Sequence, residues 1–392
     1  KDHKEFNFYK DNNYELAKRS DVLQQITASS YNICIAGTHG KTTISAMVAH
    51  VLRHSGFGCN AFLGGISVNY DTNFWSSNNV SVVEADEYDR SFLKLSPDVA
   101  LITSMDPDHL DIYGTVENME DAFVEFANRL KPEGFLLTKY GLPEKNFIAS
   151  NHLRYSLQND MADIYASNVT MRDGGYVFDA KAKDWEITDV KLNIGGMHNV
   201  ENAVAAIAIA AYLEIDPMRI KNAIGTFKGV QRRFEYIIPV AEAMKLRNNV
   251  VFIDDYAHHP AELGALIRSA KSLFSFKKCT IIFQPHLFSR TRDLASGFAE
   301  SLDMADRILL LPVYPARELP IEGVSSETIL KEMKNTYAAV VTKGGLLKYI
   351  GNDYLRLVQE SSFGEVLITA GAGDIAQLVQ PIKEIILDSE EE

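Results

Sequence analysis

The clearest hydrophobic pattern lies near the start of the chain. Residues 31–36 form a short apolar run with polar neighbours on both sides, which is typical of a buried strand. Farther on, Ile44, Met47 and Val51 recur at the spacing of one helix face. Between the two patterns, residues 37–43 form a short polar stretch. The pattern therefore predicts a strand, a tight loop and a helix.

Strand and helix patterns keep alternating as far as about residue 139. The apolar runs in "VSVVEAD", "DVALITSM" and "GFLLT" predict buried strands, and "ENMEDAFVEFANRL" has the spacing of an amphipathic helix. This alternation favours a parallel α/β sheet. Residues 163–194 have shorter alternating runs and turn signals, which indicate an antiparallel insert or edge sheet. Two helices are predicted next, the second of them opened by Pro217.

A second α/β alternation begins near Val250 and continues to the end of the chain. Its first helix is predicted from Pro260 and its next from Arg292. Alternation of this regularity predicts a separate doubly wound domain. The polar, basic stretch "KGVQRRFE" lies between the two periodic regions, so the domain boundary is expected there, near residues 228–233.

Composition is that of an ordinary globular protein. Of the 392 residues, 46% are hydrophobic and 23% are charged. The longest apolar stretches are too short to span a bilayer and the first residues are polar, so we predict a cytoplasmic protein without membrane association. A net charge of −13 argues against nonspecific binding of nucleic acid. Wide spacing of Cys34, Cys59 and Cys279 suggests neither a disulfide framework nor a zinc site.

The connection between the first strand and the first helix reads "GTHGKTT", residues 37–43. A tight loop at a helix start directs backbone N–H groups and the positive end of the helix dipole toward one point, which favours an anion. Lys41 adds a positive charge, and the Thr42 hydroxyl suits a metal ion that bridges two phosphates. The full phosphate-loop pattern is not met, because Ile35 stands at its first glycine position. Nucleotide binding is predicted, and a glycine-rich connection with a surface lysine is the alternative.

Two acidic clusters follow neighbouring strands. "EADEYD" starts at Glu84, directly after a strand, and the next strand ends in "MDPDHLD", which contains Asp108, His109 and Asp111. The carboxyl ends of parallel strands share the sheet edge at which the phosphate loop ends. Glu84 is therefore predicted to hold Mg²⁺ against the nucleotide, with a solvated acidic turn as the alternative. For His109, a metal or phosphate contact and a structural role both remain open.

Two other stretches carry groups suited to a nucleotide. In "HNVENA", Asn199 and Asn202 lie one helical turn apart, so both amides can face a base or a ribose. A helix cap explains them equally well. In "QRRFE", Arg232 and Arg233 lie at the predicted domain junction, where either can reach a phosphate when the domains close.

Polar groups also crowd two strand ends of the second α/β region. "IDDYAHHPAE" includes Asp255 and His258, and "QPHLFSRTRD" supplies His286, Arg290 and Arg292. Such groups are costly to desolvate at adjacent strand ends without a ligand. We favour a substrate site in which the arginines hold a carboxylate or a phosphate, and a surface ion-pair network is the alternative.

Seven motifs taken together resemble one protein family. "GTHGKTT", "EADEYD", "DPDHLD", "HNVENA", "QRRFE", "DDYAHHP" and "QPHLFSRTRD" occur in an order and spacing that resemble the Mur ligases, the ATP-dependent amide-forming enzymes of peptidoglycan precursor synthesis. Each motif is weak alone, but seven in order are specific. The resemblance covers nearly the whole chain from Tyr31 and is strongest to the alanine-adding branch.

The resemblance implies a fold and a reaction. The fold is α/β, with a P-loop-type central ATPase domain in residues 31–229 that has a parallel sheet and an antiparallel insert. A Rossmann-like C-terminal domain follows in residues 230–392, and residues 1–30 are a remnant of an N-terminal domain and linker. The implied ligands are ATP, Mg²⁺, UDP-N-acetylmuramate and L-alanine. The lactyl carboxylate of the sugar attacks the γ-phosphorus to give an acyl phosphate, which the amine of L-alanine then attacks.

The resemblance also implies a role for each matching residue. Catalytic positions are matched by Lys41, Glu84 and His109, and metal-binding positions by Thr42, Glu84 and His109. Nucleotide-binding positions are matched by Gly37, Thr38, His39, Gly40, Lys41, Thr42, Thr43, Asn199, Asn202, Arg232 and Asp255. Substrate-binding positions are matched by His258, His286, Arg290 and Arg292.

The chain departs from the family pattern in two places. Several sister ligases carry a carbamylated lysine in the helix after the D-H motif, whereas residues 116–129 contain no lysine, as in the alanine-adding branch. Family members also carry an N-terminal domain that binds the UDP moiety, and residues 1–30 resemble only its tail end. We therefore expect a truncated protein that keeps ATP binding and holds the UDP-sugar weakly.

Three other functions remain open. The related ligase that joins recycled tripeptide to UDP-N-acetylmuramate also suits "EADEYD", although "QPHLFSRTRD" favours the alanine-adding branch. The folylpolyglutamate synthase branch shares the loop and the amide chemistry but fits "DDYAHHP" less well. The third is a noncatalytic nucleotide-binding subunit, and the intact set of Lys41, Thr42, Glu84 and His109 argues against it.

Overall fold

The structure, a computed structural model, describes residues 3–107, 109–143, 147–361 and 363–388. Within these residues the strands form one sheet of ten strands and another of six. Asp108 of the second acidic cluster lies outside the described residues. Among the described helices, none combines the length and the apolar character that a bilayer crossing requires.

The first sheet and its helices occupy the chain as far as Thr226. The strands are β1 (Tyr31–Ala36), β2 (Asn60–Ser67), β3 (Thr72–Trp75), β4 (Val80–Glu84), β5 (Val99–Ile102), β6 (Phe135–Lys139), β7 (Asn151–Ser156), β8 (Ile164–Arg172), β9 (Gly175–Ala182) and β10 (Glu186–Leu192). The helices are α1 (Lys4–Asp11), α2 (Arg19–Thr27), α3 (Lys41–His54), α4 (Leu110–Tyr113), α5 (Val116–Ala127), α6 (Met197–Tyr212) and α7 (Pro217–Thr226), with a 3₁₀ segment at Tyr88–Lys94.

Strand order in this sheet is β10-β9-β8-β7-β6-β5-β1-β4-β2-β3. The pairs from β2 through β4, β1, β5, β6 and β7 to β8 are parallel. The pairs β8–β9, β9–β10 and β2–β3 are antiparallel. The predicted antiparallel region therefore extends one edge of the parallel sheet.

The second sheet lies in the remainder of the chain. Its strands are β11 (Glu235–Ile238), β12 (Val251–Asp255), β13 (Lys278–Phe283), β14 (Arg307–Leu310), β15 (Ala338–Val340) and β16 (Glu365–Ala370), in the order β11-β12-β16-β13-β14-β15. Its helices are α8 (Val240–Ala243), α9 (Pro260–Leu273), α10 (Phe288–Asp293), α11 (Ala295–Leu302), α12 (Ser326–Leu330), α13 (Lys343–Tyr349), α14 (Leu355–Gln359) and α15 (Ala376–Asp388), with a π-helical turn at Ile350–Tyr354. All pairs are parallel except β11–β12.

Burial on both faces explains why β1 is almost continuously apolar. Successive side chains of a strand point to opposite faces of the sheet. Ile33 and Ile35 belong to the core under α3 and α6, whereas Cys34 and Ala36 belong to the core on the other face, with α5. Helices on both faces favour apolar side chains in the central strand. The strand-loop-helix prediction is confirmed, and it brings residues 37–40 to the sheet edge.

The fold also makes a prediction about acid stability. His50, on α3, is 1% exposed; one ring nitrogen lies 2.9 Å from the Ala223 carbonyl oxygen and the other lies 2.9 Å from the Tyr70 hydroxyl. Desolvation lowers the pKa of His50 to about 4. Because the unfolded chain then binds a proton more readily than the folded one, stability is expected to fall as the pH drops below about 6.5 and to level off below about 4. The full effect is on the order of 3 kcal/mol.

Urea unfolding between pH 4 and pH 7 measures this effect. His50→Asn is expected to reduce the dependence of the unfolding free energy on pH. His3→Asn, at an exposed position before α1, should leave that dependence as it is. Equal slopes for the native chain and His50→Asn would contradict the assignment.

Candidate active site

The phosphate loop runs from the end of β1 to the start of α3. Gly37 has φ of 128°, and a Cβ there would lie 2.0 Å from the Thr103 hydroxyl oxygen. Gly40 has φ of 80° and precedes the first residue of α3. Glycine tolerates these left-handed conformations and the close approach at Gly37. The loop therefore passes tightly over the end of β5 and delivers the start of α3 to the sheet edge.

Residues at the end of β5 hold this loop in place through hydrogen bonds. The Ser104 hydroxyl lies 2.8 Å from the Thr38 hydroxyl and accepts a hydrogen bond from the His39 N–H at 2.9 Å. The Thr103 hydroxyl donates to the His39 carbonyl oxygen at 2.5 Å. These contacts fix Thr38 and His39, two of the predicted loop residues. They leave the part of the loop next to α3 available to a ligand.

Lys41 is held by two partners within the site. Its Nζ donates to the Gly37 carbonyl oxygen at 2.6 Å and lies 2.8 and 2.7 Å from the two carboxylate oxygens of Glu87. The Lys41 side chain is 13% exposed and that of Glu87 is 1% exposed. A charged pair with so little solvent around it is held more firmly than a surface ion pair.

Thr42 and Glu84 meet as the sequence predicted. The Thr42 hydroxyl donates to Glu84 Oε1 at 3.0 Å, and the other carboxylate oxygen accepts the Gly64 N–H at 2.8 Å. A hydroxyl and a carboxylate oxygen beside a phosphate loop are the hard oxygen donors that Mg²⁺ prefers, with phosphate oxygens and water completing its coordination. The residues present therefore fit the predicted metal.

The second predicted metal position has weaker support. His109 has φ of 51° and precedes α4, and its ring lies edge-on to Tyr88 with centroids 5.2 Å apart. Asp111 lies within α4. Within the described part of the chain, no three His, Cys, Asp or Glu side chains are grouped closely enough to hold a metal ion. The role of His109 at a metal stays a prediction.

The two asparagines of α6 lie against the phosphate loop. Asn202 Nδ2 donates to Asn199 Oδ1 at 2.9 Å, and Asn199 Nδ2 donates to the Gly195 carbonyl oxygen at 2.6 Å. A Cβ on Gly40 would lie 3.0 Å from Asn202 Oδ1. The residue at the helix cap is Gly196, so neither asparagine caps α6. The pair instead places the start of α6 next to Gly40 of the phosphate loop.

The two junction arginines differ sharply in their surroundings. Arg232 Nε donates to Asp254 at 3.1 Å, and its Nη2 donates to the Gly371 carbonyl oxygen at 2.5 Å. Arg233 is exposed, and its guanidinium makes no hydrogen bond or ion pair within the described residues. Arg232 joins β12 to the loop after β16 and uses two of the five N–H donors of its guanidinium in doing so, whereas the Arg233 guanidinium uses none within the described residues. Contact of either arginine with a phosphate stays a prediction.

Asp255 accepts backbone hydrogen bonds at the same junction. One carboxylate oxygen accepts the Phe234 N–H and the other accepts the Ala257 N–H, both at 2.7 Å. Desolvation raises the pKa of Asp255 to about 6. With both oxygens occupied by backbone donors, a direct contact of Asp255 with a nucleotide stays a prediction.

The predicted substrate residues gather at the ends of β12 and β13. His258 and His286 have ring centroids 6.1 Å apart, and the His286 ring stacks on Tyr314 at 5.8 Å. His286 Nδ1 and Arg290 Nη1 are buried and have no hydrogen-bond partner among the described residues. Desolvation and the positive charge of Arg290 lower the pKa of His286. A buried guanidinium N–H group without a protein partner is suited to an anionic ligand.

Arg292 lies apart from this group. It is exposed and paired with Asp293 at 2.7 Å, two residues beyond Arg290 on the short helix α10. Residues two apart point to nearly opposite sides of a helix. The predicted substrate contact of Arg292 has no counterpart in this geometry and stays a prediction.

Sequence reasoning missed several residues that shape the site. Glu87 lies within the quoted "EADEYD" stretch, but nothing in the sequence separates it from its acidic neighbours. Ser104 and Thr103 carry no signal at all, since hydroxyl residues at a strand end are common. Their roles depend on which side chains the fold brings within hydrogen-bond distance.

Comparison with known proteins places this site in a family context. The chain matches the Mur ligase middle domain over residues 35–210 and the Mur ligase, glutamate ligase domain over residues 232–373. A UDP-N-acetylmuramate–L-alanine ligase from Porphyromonas gingivalis is 44% identical over 390 residues, which is 98% of this chain and 82% of that protein. The chain belongs to the Mur ligase family. The boundary predicted between residues 229 and 230 stays a prediction.

Solved structures of Mur ligases resemble the chain over most of its length. The UDP-N-acetylmuramate-alanine ligase of Thermotoga maritima superposes with a TM-score of 0.75 at 27% identity, covering 94% of this chain and 78% of that one. A murein peptide ligase from Psychrobacter arcticus superposes with a TM-score of 0.61 at 19% identity, covering 98% and 84%. The second likeness shows the fold alone.

Proposed function

We propose that this protein is an ATP-dependent ligase that joins L-alanine to UDP-N-acetylmuramate in the cytoplasm, during peptidoglycan synthesis. The observation that carries the proposal is the assembly of Lys41, Thr42 and Glu84 around one phosphate loop in a member of the Mur ligase family. Identity of 44% to a UDP-N-acetylmuramate–L-alanine ligase supports the choice of substrates.

Each step of the reaction has a chemical requirement that the site can meet. The lactyl carboxylate of the sugar attacks the γ-phosphorus of ATP, the bond to the bridging oxygen breaks, and ADP leaves. Lys41 and the start of α3 stabilise negative charge on the phosphoryl oxygens. The amine of L-alanine then attacks the carbonyl carbon of the acyl phosphate, and inorganic phosphate leaves.

The proposed cofactor is Mg²⁺, held by Thr42 and Glu84 beside the phosphates. Bound there, it supplies Lewis-acid stabilisation of charge on the phosphoryl oxygens. The 3.0 Å contact between the Thr42 hydroxyl and Glu84 keeps both ligands at the loop before metal arrives.

Phosphate release tests the proposal. ATP, Mg²⁺ and UDP-N-acetylmuramate are supplied together, and L-alanine or a muropeptide tripeptide is added in turn. A parallel reaction contains ATP, Mg²⁺, a folate and L-glutamate. Release that depends on L-alanine is expected. Release with tripeptide alone would assign the chain to the recycling ligases, turnover of a folate with glutamate would assign it to the folylpolyglutamate synthases, and nucleotide binding without release would indicate a noncatalytic subunit.

Removing Arg290 should impair amino-acid binding. Its buried Nη1 has no protein partner among the described residues and lies in the group with His258 and His286. Arg290→Ala is expected to raise KM for L-alanine by about tenfold to a hundredfold, the usual cost of one charged hydrogen bond, with little change in KM for ATP. Steady-state kinetics with each substrate varied separately measure the split.

Arg268→Ala is the matched control for this variant. Arg268 lies on α9, which packs against the same sheet, and the hydrogen bond that its guanidinium makes among the described residues is to the Met304 sulfur. Arg292→Ala, measured alongside, decides whether the exposed neighbour also binds substrate. An unchanged KM for L-alanine in Arg290→Ala would remove Arg290 from the amino-acid site.

A further inference from the structure

Glu87 is a buried carboxylate at the edge of the phosphate loop. It lies three residues beyond Glu84, and its side chain is 1% exposed. Both of its oxygens lie within 2.8 Å of Lys41 Nζ. A carboxylate so far removed from water is stable as an anion only beside a compensating positive charge, and Lys41 provides that charge.

Lys41 has one donor left after its protein contacts. An ammonium group carries three N–H donors. One goes to the Gly37 carbonyl oxygen at 2.6 Å and another to Glu87. The third is available to a phosphate oxygen in the loop. Glu87 and Gly37 together thus restrict where the ammonium group can lie.

The backbone around Glu87 is also held firmly. The Tyr113 hydroxyl donates to the Glu87 carbonyl oxygen at 2.6 Å, and Tyr113 is itself 3% exposed. Asp89 and Arg90 follow with φ of 54° and 55°, a left-handed conformation that costs energy in residues other than glycine. The segment is therefore fixed in a strained shape that places the Glu87 carboxylate beside Lys41.

We propose that Glu87 is the positioning residue for Lys41, and that the two stay paired when a nucleotide binds. Lys41 then reaches the phosphate through its remaining N–H. Separation would leave the buried carboxylate without a counter-charge, which favours retention of the pair. The proposal rests on nucleotide binding at this loop. The opposite role, a carboxylate that competes with the phosphates for Lys41, predicts that loss of Glu87 tightens binding.

Calorimetric titration with ADP distinguishes the two roles. Glu87→Gln is expected to weaken ADP binding by about tenfold, because Lys41 loses its charged partner and its fixed position. In the Lys41→Met background, the same substitution should change the Kd by less than about twofold, as expected when one residue acts through another. A purely structural role would weaken binding equally in both backgrounds.

Asp89→Asn is the matched control, because it removes one negative charge from the same segment at an exposed position paired with Lys18. Its ADP affinity should match that of the native chain. Thermal unfolding verifies that every variant is folded. Should the Lys41→Met chain not fold, the kinetic split takes its place, and Glu87→Gln must raise KM for ATP without raising KM for L-alanine.

The outcomes separate this proposal from the proposed function. No binding of ADP by the native chain would contradict the nucleotide site itself. In the other case, ADP binding depends on Lys41 while Glu87→Gln leaves the Kd unchanged or lowers it. That result would overturn the positioning role of Glu87 but would not contradict the nucleotide site.

Discussion

Replacing Lys41 by alanine is expected to abolish ATP turnover while the protein stays folded. Lys41 Nζ lies within the phosphate loop, 2.6 Å from the Gly37 carbonyl oxygen, and its side chain is 13% exposed. A cation placed there stabilises charge on the transferring phosphoryl group, and its loss is expected to cost about 10³-fold or more in kcat. Phosphate release with all three substrates present measures the loss.

The same variant should lower the thermal stability of the protein. Without Lys41, the Glu87 carboxylate is buried with no counter-charge, which is strongly unfavourable. Adding Glu87→Gln to Lys41→Ala should restore part of the melting temperature but none of the turnover. Lys139→Ala is the control, because Lys139, at the end of β6, also pairs with an acid, Glu201, at 2.9 Å. Turnover retained by Lys41→Ala would remove Lys41 from the mechanism.

How well the sequence predicts this protein depends on how local each feature is. The strand before the phosphate loop and the helix after it were predicted correctly. Burial on both faces makes β1 largely apolar, and α3, although buried on all sides from Thr42 to Leu52, keeps its large apolar residues at helical spacing. Pro217 opens α7 as predicted, with the Asp216 side chain accepting two backbone N–H groups. Each of these signals lies within a few residues of the feature that it predicts.

Predictions failed where tertiary contacts decide the structure. The helix expected from Arg292 is two helices, α10 and α11, and α10 begins at Phe288, after Leu287 adopts a positive φ of 71°. β3 has no fully buried residue and so carries no periodic signal. Short exposed elements of this kind are stabilised by their neighbours in the sheet and not by their own sequence pattern.

Within the candidate site, too, some contacts were predictable from the sequence and others were not. The Thr42–Glu84 contact joins residues 42 positions apart, yet it was predictable because parallel strands end at one edge of the sheet. By contrast, the sequence did not predict that Glu87, and not Asp86 or Asp89, is the partner of Lys41. That choice depends on the turn that follows β4. For Asp255, the sequence did not indicate that the two carboxylate oxygens accept the Phe234 and Ala257 N–H groups, and its contact with a nucleotide stays a prediction.

Replacing Glu84 by alanine is also expected to abolish turnover, but for a different physical reason. Glu84 accepts hydrogen bonds from Thr42 and from the Gly64 N–H and is the proposed carboxylate ligand of Mg²⁺. Its loss should reduce kcat by about 10³-fold or more, because charge on the phosphoryl oxygens is no longer compensated by a correctly held metal. The fold should persist, since Glu84 is only partly buried. Asp89→Asn, in the same acidic segment, is the control and should retain turnover.

Binding of ADP separates the two expected losses. In the presence of EDTA the Glu84→Ala chain should bind ADP as well as the native chain does, because Lys41 and the backbone donors of the loop are intact. The Lys41→Ala chain should bind ADP weakly with or without Mg²⁺. If added Mg²⁺ strengthens ADP binding to Glu84→Ala as much as to the native chain, Glu84 is not the metal ligand. Its role would then be to fix Thr42 and the Gly64 backbone, and the loss of turnover would arise from a displaced loop.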